Sequence, residues 1–222
     1  MKLIGINFKG AMVRSLRREA AARKTQTRRL PTARNCLVDG AGMSQKRWDA
    51  MGFDFASARI DGGPSPAGNA GPYLHVPARA GTVHRIYPRA CIGDQFWVRE
   101  SWAFHVQAQS ALRDEDGPFA YAADPGSIQY RLAERWTPGI HMPLWASRIR
   151  LDITNIRFQR LQDISDSDAW AEGIDAAEAL SMGCTDGAAR AAYSALWEEI
   201  NGDGSWDQNP FILAYTFKDV SA

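Results

Sequence analysis

Residues 148–161 alternate apolar and polar side chains and then change phase partway. Ile149, Leu151 and Ile153 share one face, the alternation slips at Thr154-Asn155, and Ile156 and Phe158 take over. Successive side chains of a strand point to opposite sides, so a one-residue slip would turn the apolar set outward unless the strand itself kinks. The segment therefore predicts a long strand with a bulge or sharp bend, the device by which a small sheet curls or closes. Further strands are expected at 3–7, 82–87, 95–100 after a Gly93-Asp94 turn, 119–122, and 211–217, where Phe211, Leu213, Tyr215 and Phe217 alternate. Residues 24–30 read as extended. Helices are expected at 11–22, from Ser165 onward, and at 186–200, where Ala189, Tyr193, Leu196, Trp197 and Ile200 recur at helical spacing. Strands do not alternate regularly with helices, which argues against a doubly wound parallel sheet and for an α+β class: a small bent or closed sheet with flanking helices.

A length of 222 residues fits one domain, here with a long surface insertion at about 32–79. That insertion is rich in Gly and Pro (Gly62-Gly63-Pro64-Ser65-Pro66, Gly68, Gly71-Pro72) and shows little periodicity, while Trp48, Phe53 and Phe55 suggest that one piece of it docks on the core. Three scattered cysteines, Cys36, Cys91 and Cys184, make neither a disulfide framework nor a thiolate metal site, and a reducing cytoplasm is the expected setting. No apolar run reaches the roughly 18 residues of a membrane span. The four histidines, 75, 84, 105 and 141, lack metal-ligand spacing, and neither a GxxxxGK loop nor a GxSxG elbow is present, so no metal and no cofactor is expected.

Charge is unevenly placed behind a net value of +1. Residues 1–34 hold ten bases against one acid, Glu19, and residues 163–207 hold eleven acids against one base, Arg190. Two explanations stay open: mutual attraction of the two stretches in the fold, and a cationic surface for a phosphate-bearing partner.

The chemistry concentrates in a few places. Arg23-Lys24-Thr25-Gln26-Thr27-Arg28-Arg29 packs four cations, two hydroxyls and an amide into seven residues. Lys24 and Thr27 would face opposite ways in a regular strand, so they converge only if the chain is still turning as it leaves the preceding helix. The plain alternative is a set of solvated charges complementing a helix C-terminus. Ser165-Asp166-Ser167-Asp168 has the spacing of an acidic helix start, and that helix carries Glu172, four residues after Asp168. The small and apolar neighbours Ala169, Ala171, Gly173 and Ile174 argue that Glu172 is partly buried, which requires a cation or donor beside it. Trp97-Val98-Arg99-Glu100-Ser101-Trp102 sets a charge pair in an aromatic strand: either a structural Arg–Glu contact or a base-stacking wall beside a phosphate or carbonyl binder. His141-Met142-Pro143-Leu144-Trp145-Ala146-Ser147-Arg148 is similar, with a histidine more easily read as structural than as catalytic.

Four segments in order, Lys24-Thr25-Gln26-Thr27-Arg28-Arg29, Gly93 to Trp102, His141-Met142-Pro143 with Ser147-Arg148, and Leu161-Gln162-Asp163-Ile164 through Ala169-x-x-Glu172-Gly173-Ile174, resemble the ASCH domain family, in particular its longer phage and prophage members. Asn201-Gly202 through Ser205-Trp206 and Asn209-Pro210 resemble the same subgroup, and only about 32–79 falls outside the resemblance. The resemblance implies a PUA-like β-barrel and an association with RNA or modified bases. It also implies hydrolysis of N4-acylated cytosine, as nucleoside or within nucleic acid, through a catalytic Lys24, Thr27 and Glu172. In that chemistry Thr27 Oγ attacks the amide carbonyl. Lys24 takes the proton, its ammonium form disfavoured by Arg23, Arg28 and Arg29, or else stays charged and stabilises the oxyanion. Glu172 orients the lysine or relays a proton to the leaving amine. Arg28, Arg29, Arg99, Glu100, His141 and Arg148 would line the substrate site, with Trp97 or Trp145 stacking on the base. The chain is about twice the length of the small enzymes of that family, and other members are linked to ribonuclease activity or to RNA binding alone, so the alternatives are a non-catalytic reader of RNA or modified DNA, or a ribonuclease.

Overall fold

The computed structural model describes residues 1–19, 22–38, 41–63, 71–79, 81–104, 119–127, 133, 135–175 and 187–221. The class is mixed α+β with several sheets, and among the described residues no sheet closes into a barrel. In chain order the elements are β1 (Leu3–Asn7), α1 (Gly10–Leu16), β2 (Gln26–Arg29), β3 (Leu37–Val38), β4 (Ala41–Gly42), α2 (Gln45–Ala50), β5 (Arg59–Asp61), β6 (Tyr73–Pro77), β7 (Val83–Ile86), β8 (Gln95–Arg99), β9 (Trp102–Phe104), β10 (Phe119–Tyr121), β11 (Arg150–Arg160), α3 (Asp166–Ala171), α4 (Ala188–Asn201) and β12 (Phe211–Asp219). The chain divides into two compact units: Met1–Thr25, Gly93–Ile153 and Phe217–Ala222 form the first, Gln26–Ile92 and Thr154–Thr216 the second.

In the first unit β1 lies parallel to β8, from Leu3 opposite Gln95 to Asn7 opposite Arg99. The start of β11 runs antiparallel on the other side of β8. The end of β12 follows, tied by the Val220 amide donating to the Arg150 carbonyl at 2.9 Å. Helix α1 stops at Leu16, short of the expected 22, and residues 20 and 21 fall outside the description. Its buried stripe is Val13 and Leu16, with Met12 only half-buried. β9 and β10 pair antiparallel, and Trp102 clusters with Met142 and Ala146 in a small apolar group flanked by Phe119 and Tyr121.

In the second unit β12 pairs with β2, Leu213 opposite Arg29 through Thr216 opposite Gln26. β12 is buried on both faces, so the alternation expected of it is overlaid by buried Ile212 and Ala214. Those two residues join Leu161, Ile164, Ala169, Ala189, Tyr193 and Trp197 in the core that seats α3 and α4. The phase slip in β11 is real: Thr154 and Asn155 are both exposed, and burial changes from Leu151 and Ile153 to Ile156 and Phe158.

The 32–79 segment carries more order than its composition implies. β5, β6 and β7 form a three-stranded antiparallel sheet, and α2 starts at Ser44, whose hydroxyl accepts from the Arg47 amide. Asn35 anchors the segment through a 2.7 Å hydrogen bond from its side-chain amide to the Tyr87 carbonyl. Trp48, Phe53 and Phe55 pack on one another with ring centres 4.7 to 6.1 Å apart. All three are half-buried, and Arg160 at the end of β11 donates to the carbonyls of Phe55 and Ala56 at 3.1 and 3.2 Å.

Candidate functional site

Local sequence rules fix where Glu172 stands. Ser165 caps α3 by accepting a hydrogen bond from the Asp168 amide at 3.1 Å. Gly173, at φ 87°, stops the helix one residue after Glu172, a backbone conformation glycine adopts without strain. Asp168 and Glu172 are thus one turn apart on a single helix face.

Facing them is β2. Its alternation sends Gln26 and Arg28 to one side and Thr27 and Arg29 to the other. Gln26 Nε2 donates to Asp168 Oδ1 at 2.9 Å. Arg28 Nη1 donates to Glu172 Oε1 at 2.8 Å, and Nη2 lies 3.0 Å from Asp168 Oδ2. That second contact is an ion pair without hydrogen-bond alignment, and Arg28 Nε has no hydrogen-bond partner among the described residues. Arg157, from the far half of β11, also binds Asp168 Oδ2. The Arg28 side chain is 0% exposed and that of Glu172 4%, so this pair is buried, while Asp168 and Arg157 beside it are partly exposed. Burial pushes the Asp168 carboxyl up, but Gln26, Arg157 and Arg28 outweigh it and hold it below the usual carboxylate range. The ring of Tyr193 lies 5.8 Å from the Arg28 guanidinium, and burial together with Glu172 raises its hydroxyl well above the usual value, keeping it protonated.

Thr27 sits opposite Tyr215 on β12 and is buried. Burial pushes the Tyr215 hydroxyl up to about 12. Burial lowers Arg29, against the opposing pull of Glu172 and the two tyrosines. The structure therefore joins Glu172 to Arg28 directly, while strand alternation points Thr27 the other way.

Lys24 belongs to the first unit. It precedes β2 in a stretch without regular structure, so strand alternation does not govern it. Its amide donates to the Ser15 carbonyl at 3.0 Å, its side chain is fully buried, and Nζ stands 5.7 Å from the centre of the Phe8 ring.

The other expected lining residues are all in the first unit and make their own contacts. Glu100 pairs with Arg148 through two hydrogen bonds, at 2.9 and 3.0 Å, rather than with its neighbour Arg99. Arg148 also binds Asp124, which Arg17 grips at 2.8 and 2.9 Å, and stacks 3.9 Å from the centre of the Tyr121 ring. Burial pushes the Glu100 carboxyl up against the pull of Arg148. Arg99 reaches the Gly5 carbonyl at 3.3 Å with the Trp97 ring 5.3 Å away, and a β-carbon on Gly5 would come within 2.9 Å of both side chains. His141 is exposed in a short turn. Trp145 is 40% exposed and packs against Trp102 and Phe119.

Among the described residues no group of three or more His, Cys, Asp or Glu side chains is placed to hold a metal ion, and no helix is long and apolar enough to cross a membrane. Sequence reasoning did not assign Asp168, Gln26, Arg157 or Tyr193 to the site. The first carried a signal, since acids four apart on one helix face, one of them flanked by small residues, call for a shared cation. No family model, no curated protein and no solved structure matches the chain.

Proposed function

We propose that the protein is an ASCH-type amidohydrolase of PUA-like fold that removes the acyl group from N4-acylated cytosine. The observation that carries this reading is burial. Lys24, Thr27 and Glu172, three residue types usually found in water, are each at most 3% exposed. A carboxylate held out of water beside a buried guanidinium is fixed in one orientation, as a group that must meet a substrate atom requires. The reading requires the three residues to meet round one substrate. Thr27 Oγ forms a bond to the acyl carbon, Lys24 accepts the hydroxyl proton, and the C–N bond breaks as the exocyclic amine takes up a proton relayed by Glu172. Water then releases the acyl group from Thr27 as a carboxylic acid. If Thr27 is not the nucleophile, Glu172 activates a water for direct attack and the products are the same.

The test is incubation of the purified protein with N4-acetylcytidine and its deoxy analogue, followed by chromatography. The expected products are cytidine or deoxycytidine with acetate, and no release from either substrate or from an acetylated RNA rejects the reading. A second reading, a non-catalytic binder of RNA or modified DNA, is favoured by one observation. Trp145 and Phe104, each 40% exposed, and the partly buried Phe119 cluster in the first unit, where bases could stack. Binding without turnover would support it.

A further inference from the structure

We infer that Arg28 acts through Glu172 as a positioning residue, braced by Asp168, Gln26 and Arg157, rather than by touching substrate. This rests on the amidohydrolase reading and deepens it. With its side chain 0% exposed and its two terminal nitrogens against Glu172 at 2.8 Å and Asp168 at 3.0 Å, the guanidinium is enclosed and turned toward the two acids, with only Nε facing neither. Asp168 is held from its other side by Gln26 and Arg157. The result is a chain of polar contacts from β2 and β11, through α3, to the carboxylate at the helix end. Without Arg28, Glu172 would lose its hydrogen-bonded cation and keep the buried Arg29 and the Tyr193 hydroxyl facing it, while Asp168, one turn away, stays held by Gln26 and Arg157; that loss favours displacement or protonation of Glu172. Either outcome removes it as a base. A planar fork that spans two carboxylates is a property of arginine that lysine lacks.

The experiment compares wild type, Arg28→Lys, Glu172→Gln and the double variant on N4-acetylcytidine. It also follows the Glu172 carboxyl by carbon NMR across pH in wild type and Arg28→Lys. Arg28→Lys is expected to lower kcat on the order of tenfold with KM unchanged, short of the ~10²–10⁴ that losing an acid–base group costs. In the Glu172→Gln background it should add no further loss, and Glu172 should take up its proton at higher pH in Arg28→Lys than in wild type. Asp168→Asn, which leaves the Arg28–Glu172 contact in place, should give a smaller loss of the same kind. A raised KM with unchanged kcat, or a full further loss in the Glu172→Gln background, overturns the inference by making Arg28 a direct substrate contact. A wild type that hydrolyses no acylated cytosine rejects the amidohydrolase reading instead. The titration then decides for Arg28 by itself, and an unchanged Glu172 midpoint sinks the positioning role.

Discussion

In the proposed chemistry, losing Thr27, Lys24 or Glu172 has different consequences. Thr27→Ala removes one small hydroxyl, so it should abolish hydrolysis while ligand binding by calorimetry stays largely intact. Thr27→Ser should keep partial activity, since the oxygen remains without the rotamer restriction of the β-branched methyl. Full activity in Thr27→Ala would transfer the attack to a water activated by Glu172. Lys24→Arg should be nearly as damaging as Lys24→Ala in the same assay, because arginine does not give up its proton near neutral pH. Retained activity would make Lys24 an electrostatic clamp. Arg28 differs from all three: removing one partner of a buried pair costs about 3–5 kcal/mol, so Arg28→Ala should lower the midpoint of chemical denaturation markedly, apart from any effect on turnover.

Helix α3 is the element on which the site depends. It has only six residues, and its start is fixed by the Ser165 side chain. Ser165→Ala should destabilise by ~1 kcal/mol in urea melts. The pH response of this element has a defined sign. Asp168 is held below its usual range, so its share of stability is complete above the unfolded value of about 3.9 and is lost as pH falls toward the lower folded value. Asp168→Asn should flatten that acid limb in melts recorded between roughly pH 5 and 2; an unchanged limb would mean that the ion pair is not maintained in solution. Much of this element was legible in the sequence, since the Ser-x-x-Asp start and the small neighbours of Glu172 each follow from a local rule. The slip at Thr154-Asn155 was legible for the same reason. The partner of Glu172 was not, because pairing Arg28 with an acid 144 residues away depends on how β2 and α3 pack. Nor were β5 and β6, short strands hidden among Gly and Pro, although their neighbour β7 matches the strand expected at 82–87.

At the scale of the molecule, the uneven charge has one clear outcome inside the second unit: Arg28 from the basic start meets Asp168 and Glu172 from the acidic stretch. In the first unit Arg17 is matched by Asp124 and Arg23 lies 3.6 Å from Asp219. Cations so matched contribute less to a phosphate-tracking surface. Affinity for the uncharged nucleoside N4-acetylcytidine should therefore be insensitive to salt between about 0.05 and 0.2 M, whereas a polynucleotide binder loses affinity steeply over that range as counterions are released. Calorimetry at the two salt concentrations distinguishes them. The most direct trial sets progress curves of wild type and Glu172→Gln side by side on N4-acetylcytidine, with both proteins verified as folded by thermal melting. Wild type should liberate cytidine and Glu172→Gln should be slower by ~10²-fold or more. No cytidine from wild type, or equal rates from the two proteins, would contradict the assignment of Glu172 to an amide-hydrolysing site.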